Sequence, residues 1–226
     1  MDLLELQVEM RQCRLCLEAG YEIAPGPVFS GQPGARVMLI GQAPGLMEGE
    51  TKRPFAASSG TRLFSWLGAA GWEEEEFRAR AYISAVTKCY PGRSGSGKGD
   101  RVPSRAEQAL CRPFLEREMA LVNPRLIIPV GRLAIGLFYP SRTRLKEVVG
   151  TAAYFPPEAL QDPVNFDIRQ ADRLAAFDAT KPRDGRWLVP LPHPSGTSLW
   201  PNRPANQALI ERAIAILDDV RAALDL

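Results

Sequence analysis

The sequence has little of several features that would mark a specialised class of protein. Its 226 residues include one histidine, and the formal net charge is only +2. A charge this small does not indicate a nucleic-acid partner. No apolar run approaches the roughly 20 residues that a membrane-spanning helix needs, so we expect no membrane partner. Residues 1–12 lack the pattern of a secretory signal. We therefore expect a cytoplasmic protein without disulfide bonds.

The four cysteines have the spacing of a metal site. Cys13 and Cys16 form a C-x2-C pair, while Cys89 and Cys111 stand singly much later in the chain. The close pair supplies one edge of a tetrahedron from a single turn, and folding brings in the other two thiolates. Two disulfides, or four unrelated buried thiols, are the alternatives. The spacing favours ligation and leaves zinc and an iron–sulfur cluster both open.

Hydrophobic patterning predicts alternating strands and helices in a single domain, residues 1–226. Strands separated by helical crossovers favour an α/β fold with a mainly parallel sheet. In such a sheet the functional site lies at the carboxyl ends of the strands. The predicted main strands are residues 36–40, 81–86, 126–130 and 187–191, and the long closing helix is 206–224.

Local signals refine the predicted helices. Ser59 is a candidate N-cap for a helix, and Ser104 with Glu107 forms a capping-box pattern at the start of another. Pro113 predicts a kink in that second helix. Residues 140–185 have the least regular pattern, and we expect one strand there, near 146–155.

A basic stretch follows Cys89. It contains Arg93, Lys98, Arg101 and Arg105 among glycines and serines, a composition typical of a loop. Contact with phosphate groups and simple solvation are equally compatible with this pattern.

Six short tracts carry a further signal, and several of them lie at the predicted strand ends. The tracts are G-Q-A-P-G (41–45), R-P-F (53–55), Y-I-S-A-V-T-K-C (82–89), A-L-C-R-P-F-L-E-R-E (109–118), P-R-L-I-I-P-V-G (124–131) and H-P-S-G (193–196). Together with the four cysteines they resemble the iron–sulfur branches of the uracil-DNA glycosylase superfamily, its families four and five. The resemblance extends from Cys13 to about residue 201. It implies a three-layer αβα sandwich and a four-iron, four-sulfur cluster held by the four cysteines.

The resemblance also implies roles in catalysis. A glycosylase extrudes the target nucleotide and must stabilise the negative charge that develops on the base. His193 is implied as a neutral donor to that charge, with Gln42 contributing mainly its backbone N–H. The first glycine-rich turn, including Gly41 and Ala43, presents backbone donors. Phe55 matches the aromatic that stacks on the extruded base.

The segment after His193 is expected to meet DNA. Ser195 and Gly196 suit a phosphate oxygen. Leu199 and Trp200 are candidates for a wedge that fills the gap left by the base, although Trp200 could equally pack on the closing helix. Arg203 is a candidate for backbone contact.

Two departures from the family pattern affect chemistry and specificity. Gln42 replaces the usual glutamate, and Ala43 replaces the aspartate of cluster-free relatives, so the first tract supplies no general base. Glu48 and Glu50 lie nearby and are expected on a surface loop. Ala85 replaces an asparagine that reads uracil, so other polar side chains must do so. The candidates are Ser84, Gln42, Asn202 and Asn206.

Three functions remain open from the sequence. The first is a monofunctional glycosylase that removes uracil from single- or double-stranded DNA, or one that prefers other deaminated bases. The second is a protein that binds such DNA with little turnover. The third is a redox or zinc-structural protein without a DNA role. We expect a monomer in each case.

Overall fold

The described chain forms one mixed sheet with parallel strands at its centre. The computed structural model describes residues 1–24, 26–95, 99–164, 167–196 and 198–226. The strands are β1 (Val37–Gly41), β2 (Tyr82–Ala85), β3 (Leu126–Pro129), β4 (Ala152–Phe155), β5 (Asp172–Leu174) and β6 (Arg186–Leu188). Their spatial order is β2-β1-β3-β6-β4-β5. β1 is parallel to β2 and β3, β3 is parallel to β6, and β4 pairs antiparallel with both neighbours. The predicted mainly parallel sheet is confirmed.

Helices connect and cover the strands. They are α1 (Leu3–Gln12), α2 (Leu15–Glu18), α3 (Leu46–Thr51), α4 (Ser58–Ala69), α5 (Glu74–Arg80), α6 (Arg105–Val122), α7 (Arg132–Ile135), α8 (Leu145–Val148) and α9 (Pro204–Leu224). The predicted capping box is present at α6, where the Ser104 hydroxyl accepts from the Glu107 N–H and the Glu107 carboxylate accepts from the Ser104 N–H. None of the helices in the described residues is long and apolar enough to span a bilayer.

Two hydrophobic cores lie on opposite faces of the sheet. Alternate strand residues such as Leu39 and Ile83 pack with α4, α5 and α9. Their neighbours Met38 and Tyr82 pack with α1, α6 and α7. All residues of β1, β2 and β3 are buried, as expected for parallel strands covered on both faces. The three-layer arrangement that the resemblance implied is therefore confirmed.

Some local predictions were wrong. Helix α4 has Ala57 as its N-cap, so Ser59 lies inside the first turn. The strand predicted near 146–155 begins instead as α8, and only Ala152–Phe155 is extended. Helix α6 continues through Pro113, so the proline does not end the helix, and the kink expected there stays a prediction. The short elements α3, α5 and β5 lacked a periodic signal and were not predicted.

Candidate active site and cysteine cavity

One cleft opens at the carboxyl ends of the central parallel strands. It lies where a doubly covered sheet is expected to bind ligands. The cleft brings together most of the predicted catalytic and base-contacting residues, together with two carboxylates that the sequence analysis had not assigned to it. The lining includes Gly41, Gln42, Ala43, Phe55, Ser84, Ala85, His193, Ser195 and Gly196, and the added carboxylates are Glu48 and Asp100.

The glycine-rich turn extends the pairing of β1 with β2 beyond the sheet. The Val86 N–H donates to the Gly41 carbonyl at 3.0 Å, and the Thr87 N–H donates to the Gln42 carbonyl at 3.3 Å. With its carbonyls held in this way, the turn is fixed relative to β2. A Cβ at position 41 would lie 3.0 Å from Cζ of Phe55. Glycine therefore allows the aromatic ring to approach the turn closely.

Phe55 is held in a conformation that non-glycine residues rarely adopt. Its φ is 52°, in the left-handed region that costs roughly 1–3 kcal/mol for such residues. The Arg78 guanidinium donates to the carbonyl oxygens of Pro54 at 2.8 Å and Phe55 at 3.0 Å. A Cβ at Gly60 would lie 1.8 Å from the Phe55 carbonyl oxygen, so this backbone contact requires glycine. These contacts fix the half-buried ring at the cleft.

His193 is held as a neutral imidazole with a defined tautomer. The Ser195 N–H donates to His193 Nδ1 at 3.2 Å. Because a backbone N–H can only donate, Nδ1 carries a lone pair and the proton resides on Nε2. Burial lowers the pKa of His193 below its ordinary value. Gly131 makes room for the ring, since a Cβ there would lie 3.1 Å from His193 Cδ2. The result is a neutral N–H donor in the cleft.

Two carboxylates converge on the same glycine of the turn. A Cβ at Gly45 would lie 2.6 Å from Glu48 Oε2 and 3.0 Å from Asp100 Oδ2. Glu48 is only 6% exposed, so its predicted place on a surface loop is wrong. Its carboxylate accepts from the Gly45 N–H at 3.0 Å and caps α3. Asp100 accepts from the Tyr90 hydroxyl at 3.0 Å. The convergence of Glu48 and Asp100 becomes visible only in the folded turn. Glu50 is exposed, as predicted.

Ser84 belongs to a buried polar network behind the cleft. Its hydroxyl lies 3.0 and 3.1 Å from the two carboxylate oxygens of Glu118. Lys88 pairs with the same carboxylate at 2.7 Å and donates to the Ala85 carbonyl at 2.6 Å. Both charged side chains are buried, where charges require partners. Ser84 thus donates to Glu118 rather than to a ligand, and sequence reasoning missed both charged residues.

The residues of the predicted DNA-contacting segment lie in three different environments: the cleft, the surface and the core. Ser195 and the exposed Gly196 reach the cleft, while Leu199 projects from the surface at 71% exposure. Trp200 packs instead against the main core. Its carbonyl accepts from the Asn206 side chain at 2.8 Å, which favours the packing alternative for Trp200 over a wedge.

Two further predicted residues lie outside the cleft lining. Asn202 is exposed, and its side-chain oxygen lies 3.5 Å from Arg62 Nη1. The structure therefore does not bring Asn202 to the cleft. Arg203 is also exposed, as backbone contact with DNA would require.

One arginine of the basic stretch that follows Cys89 forms an ion pair within the protein. Arg101 makes a bidentate pair with Glu107, with distances of 2.7 and 2.6 Å. This pair and the Ser104 contacts lower the pKa of Glu107 to about 2. Arg93 and Arg105 are exposed, and Lys98 lies outside the described residues. Arg101 is thus a structural cation in this chain.

The four cysteines line a single cavity. Cys13 ends α1, Cys16 lies in α2, Cys89 follows β2 and Cys111 lies in α6. All four are free thiols, so the two-disulfide alternative is wrong. Burial, together with the neighbouring thiols, raises the pKa of Cys16 to about 11 and that of Cys89 to about 12. Apolar walls complete the cavity, among them Met10, Ile23, Leu110 and Phe114.

The donor set of the cavity can be compared with that of a single-ion site. A Cys₄ zinc site needs all four sulfurs about 3.8 Å apart around one ion. Among the residues with described positions, no three His, Cys, Asp or Glu side chains form a single-ion site. The buried Thr87 hydroxyl also lines the cavity and lacks a partner within the described structure. Four convergent thiols and an orphaned hydroxyl in an apolar chamber suit a multinuclear, sulfur-ligated group.

Comparisons with known proteins identify the family of the chain. The model of the uracil DNA glycosylase superfamily matches residues 28–218. A protein of Pyrobaculum aerophilum named type-4 uracil-DNA glycosylase is 30% identical over 152 residues, covering 66% of this chain and 71% of that protein.

Two further relatives carry the same name. The Thermotoga maritima protein is 32% identical over 111 residues, covering 49% of this chain and 53% of that protein. The Sulfurisphaera tokodaii protein is 27% identical over 185 residues, covering 72% and 78%. Since the family model spans most of the residues that form the sheet and the cleft, the chain belongs to the uracil DNA glycosylase superfamily.

Proposed function

We propose that the protein hydrolyses the N-glycosidic bond of uracil extruded from DNA and leaves an abasic site. The observation that carries this proposal is His193, whose Nδ1 accepts from the Ser195 N–H at 3.2 Å and whose Nε2 therefore carries the proton. A neutral N–H in a buried position suits an oxygen that becomes negative as the bond breaks. The name shared by the relatives supports uracil as the base.

The reaction separates two opposite charges. The bond between C1′ of the sugar and N1 of uracil breaks, and its electron pair stays on the base as uracilate. The sugar becomes a cation, and a water molecule adds to C1′ and releases a proton to solvent. His193 donates to the uracilate oxygen, and the backbone N–H of Gln42, a residue that lines the same cleft, is the second donor. The Asp100 carboxylate supplies negative charge that suits the sugar cation, whereas the Glu48 carboxylate is engaged with the Gly45 N–H.

Base extrusion requires a surface that replaces lost stacking. The Phe55 ring, fixed beside Gly41, offers a π face to the extruded base, and stacking of this kind contributes roughly 1–3 kcal/mol. Ser195 and Gly196 lie at the same cleft for phosphate contact. Leu199, exposed at 71%, suits the wedge role, and Arg203 suits contact with the DNA backbone. These residues together favour a flipped nucleotide as the substrate.

The chemistry is monofunctional on this proposal. A lyase reaction through a Schiff base needs an amine at the reacting carbon. No lysine is found among the described residues that line the cleft. Lys88 is nearby in sequence to Ala85, but its ammonium group is paired with Glu118 at 2.7 Å. The abasic site is therefore the expected product.

We further propose that Cys13, Cys16, Cys89 and Cys111 hold a four-iron, four-sulfur cluster. The support is their shared cavity, its apolar walls and the resemblance of the cysteine pattern to the iron–sulfur branches. When bound, such a cluster can accept or release one electron and tie together the segments that ligate it. Residues 1–226 would act as one domain, since both cores rest on one sheet, and we propose that this domain acts as a monomer.

A second candidate function is excision of other deaminated bases. Ala85 lies at the cleft and has no amide with which to read the uracil edge. Ser84 donates to Glu118 instead. Discrimination among bases would then rest on cleft shape more than on side-chain hydrogen bonds. Oligonucleotides carrying hypoxanthine or xanthine, assayed beside uracil, measure how broad the specificity is.

A strand-cleavage assay tests the proposed function. A fluorescent oligonucleotide with one uracil, single-stranded or paired with guanine, is treated with the iron-loaded protein and then with alkali. The proposal predicts an alkali-dependent break at the uracil and none in a thymine control. A break without alkali would indicate lyase chemistry. Binding without any break would support the low-turnover alternative.

A further inference from the structure

The described residues contain two buried hydroxyls without a hydrogen-bond partner, those of Thr87 and Tyr139. They differ in their surroundings. Thr87 is 6% exposed and lines the cysteine cavity, whereas Tyr139 lies in the core between the sheet and α6. A buried hydroxyl without a partner is unfavourable. A suitable acceptor for Thr87 must therefore come from whatever occupies the cavity.

The four cysteines line the same cavity as Thr87. Thr87 stands two positions before Cys89, one of those four cysteines. The remaining walls are largely apolar and include Met10, Ile23 and Phe114. Sulfur is thus the acceptor that this chamber offers.

Resting on the cluster proposed above, we propose that the Thr87 hydroxyl donates a hydrogen bond to a sulfur of that cluster. Hydrogen bonds to the sulfurs stabilise the extra negative charge of the reduced state, so they raise the reduction potential. Partners outside the ligand set also hold a metal group in place. Thr87 is therefore a positioning and potential-setting residue, and its hydroxyl is the functional group.

The same residue reaches the cleft through its backbone. The Thr87 N–H donates to the Gln42 carbonyl at 3.3 Å, and the same residue is among those that line the cysteine cavity. One residue therefore contacts both sites. A displacement of Thr87 on the cavity side would be transmitted to the turn that holds Gln42. Substitutions that keep the size of the side chain are needed to isolate the hydroxyl.

Three variants separate the hydroxyl from packing. Thr87→Val removes the hydroxyl and keeps the shape, and Thr87→Ser keeps the hydroxyl. Tyr139→Phe removes the other orphaned hydroxyl as a matched control. Iron and sulfide content, visible spectrum, reduction potential and the rate of iron loss to a chelator are measured on each purified protein. We expect Thr87→Val to have a more negative potential and about tenfold faster iron loss, while Thr87→Ser and Tyr139→Phe match the wild type.

Every other result counts against the proposal. Thr87→Val with full iron and wild-type potential, spectrum and iron loss would overturn it. Loss of iron in both Thr87 variants would show that packing, not hydrogen bonding, is what position 87 supplies. Absence of iron from the wild-type protein would overturn the cluster and this inference together. Uracil cleavage, measured separately, fails or succeeds independently of the Thr87 comparison, so the two proposals remain distinguishable.

Discussion

The cysteine cavity and the cleft share the segment that follows β2, yet they are built in opposite ways. The cavity is enclosed by apolar walls and presents four side-chain sulfurs from widely separated parts of the chain. The cleft is built around the ends of parallel strands, where backbone groups and fixed rings meet. Ligand sets that depend on side-chain type can be read in a sequence. A site built from backbone geometry becomes visible only in the fold.

This comparison predicts that a substitution in the cavity costs both the metal group and the activity, whereas a substitution in the cleft costs activity alone. Cys89→Ser is expected to lose the iron, lose its colour and become poorly soluble, because the remaining thiols line an emptied chamber next to β2. Uracil cleavage should be abolished with it. Iron analysis and the visible spectrum provide the measurement. Full retention of iron in this variant would remove Cys89 from the ligand set.

Damage to the aromatic side of the cleft should leave the cavity intact. Phe55→Leu removes the π face and is expected to cost roughly 1–3 kcal/mol of stacking free energy with the extruded base. This loss corresponds to about a ten- to a hundredfold decrease in kcat/KM. Phe55→Tyr, which keeps the ring, is the control and should be near wild type. Iron content should be unchanged in both. Equal activity of Phe55→Leu and wild type would assign Phe55 to the core.

The glycine-rich turn should be more tolerant, because its donors belong to the backbone. Gln42→Ala keeps the N–H and is expected to slow cleavage by about tenfold, near 1.4 kcal/mol. Glu48→Gln can still accept from the Gly45 N–H, so it should have little effect. Single-turnover rates measure both. A loss beyond about 10⁴, roughly 5.4 kcal/mol, in Glu48→Gln with the iron retained would identify Glu48 as the catalytic acid or base.

The smallest expected effect concerns pH. Burial lowers the pKa of His193 below the ordinary 6.5, so the neutral donor form persists at pH 6.5, where an unperturbed histidine is half protonated. The single-turnover rate should therefore change with a midpoint below pH 6.5, as His193 becomes protonated. A pH–rate profile with its midpoint at or above 6.5, assigned to His193 by its absence in a His193 variant, would contradict this.

The difference between sites set by side-chain type and sites built from backbone geometry also explains which features the sequence could predict. The central strands and the α6 capping box were predicted correctly, because each depends on residue types at short spacing. The four cysteines line one cavity, whereas their role as ligands stays a prediction. Glu48 was misplaced because its burial depends on the fold of α3. The Ser84 hydroxyl was assigned to base reading because Glu118 approaches it only through tertiary packing. The edge strand β5 was missed because none of its residues is buried, so it lacks an apolar pattern.

The role of His193 shows the limit most clearly. Its position after a strand, between two prolines, made it a candidate, and the resemblance supplied a role. The tautomer, however, depends on the Ser195 N–H meeting Nδ1, and the space for the ring depends on Gly131. Neither contact has a sequence signature. The sequence therefore singled out His193 as a candidate, and the structure adds the tautomer that the Ser195 contact favours.

The central claim is that a neutral His193 drives uracil release in a cleft distinct from the cysteine cavity. The most direct test is the single-turnover rate of His193→Ala on a uracil oligonucleotide, with iron content measured on the same sample. We expect the rate to fall roughly 10²–10³-fold, the effect of losing one preorganised donor, with iron content at the wild-type level and DNA binding reduced far less. An unchanged rate at full iron content would contradict the account.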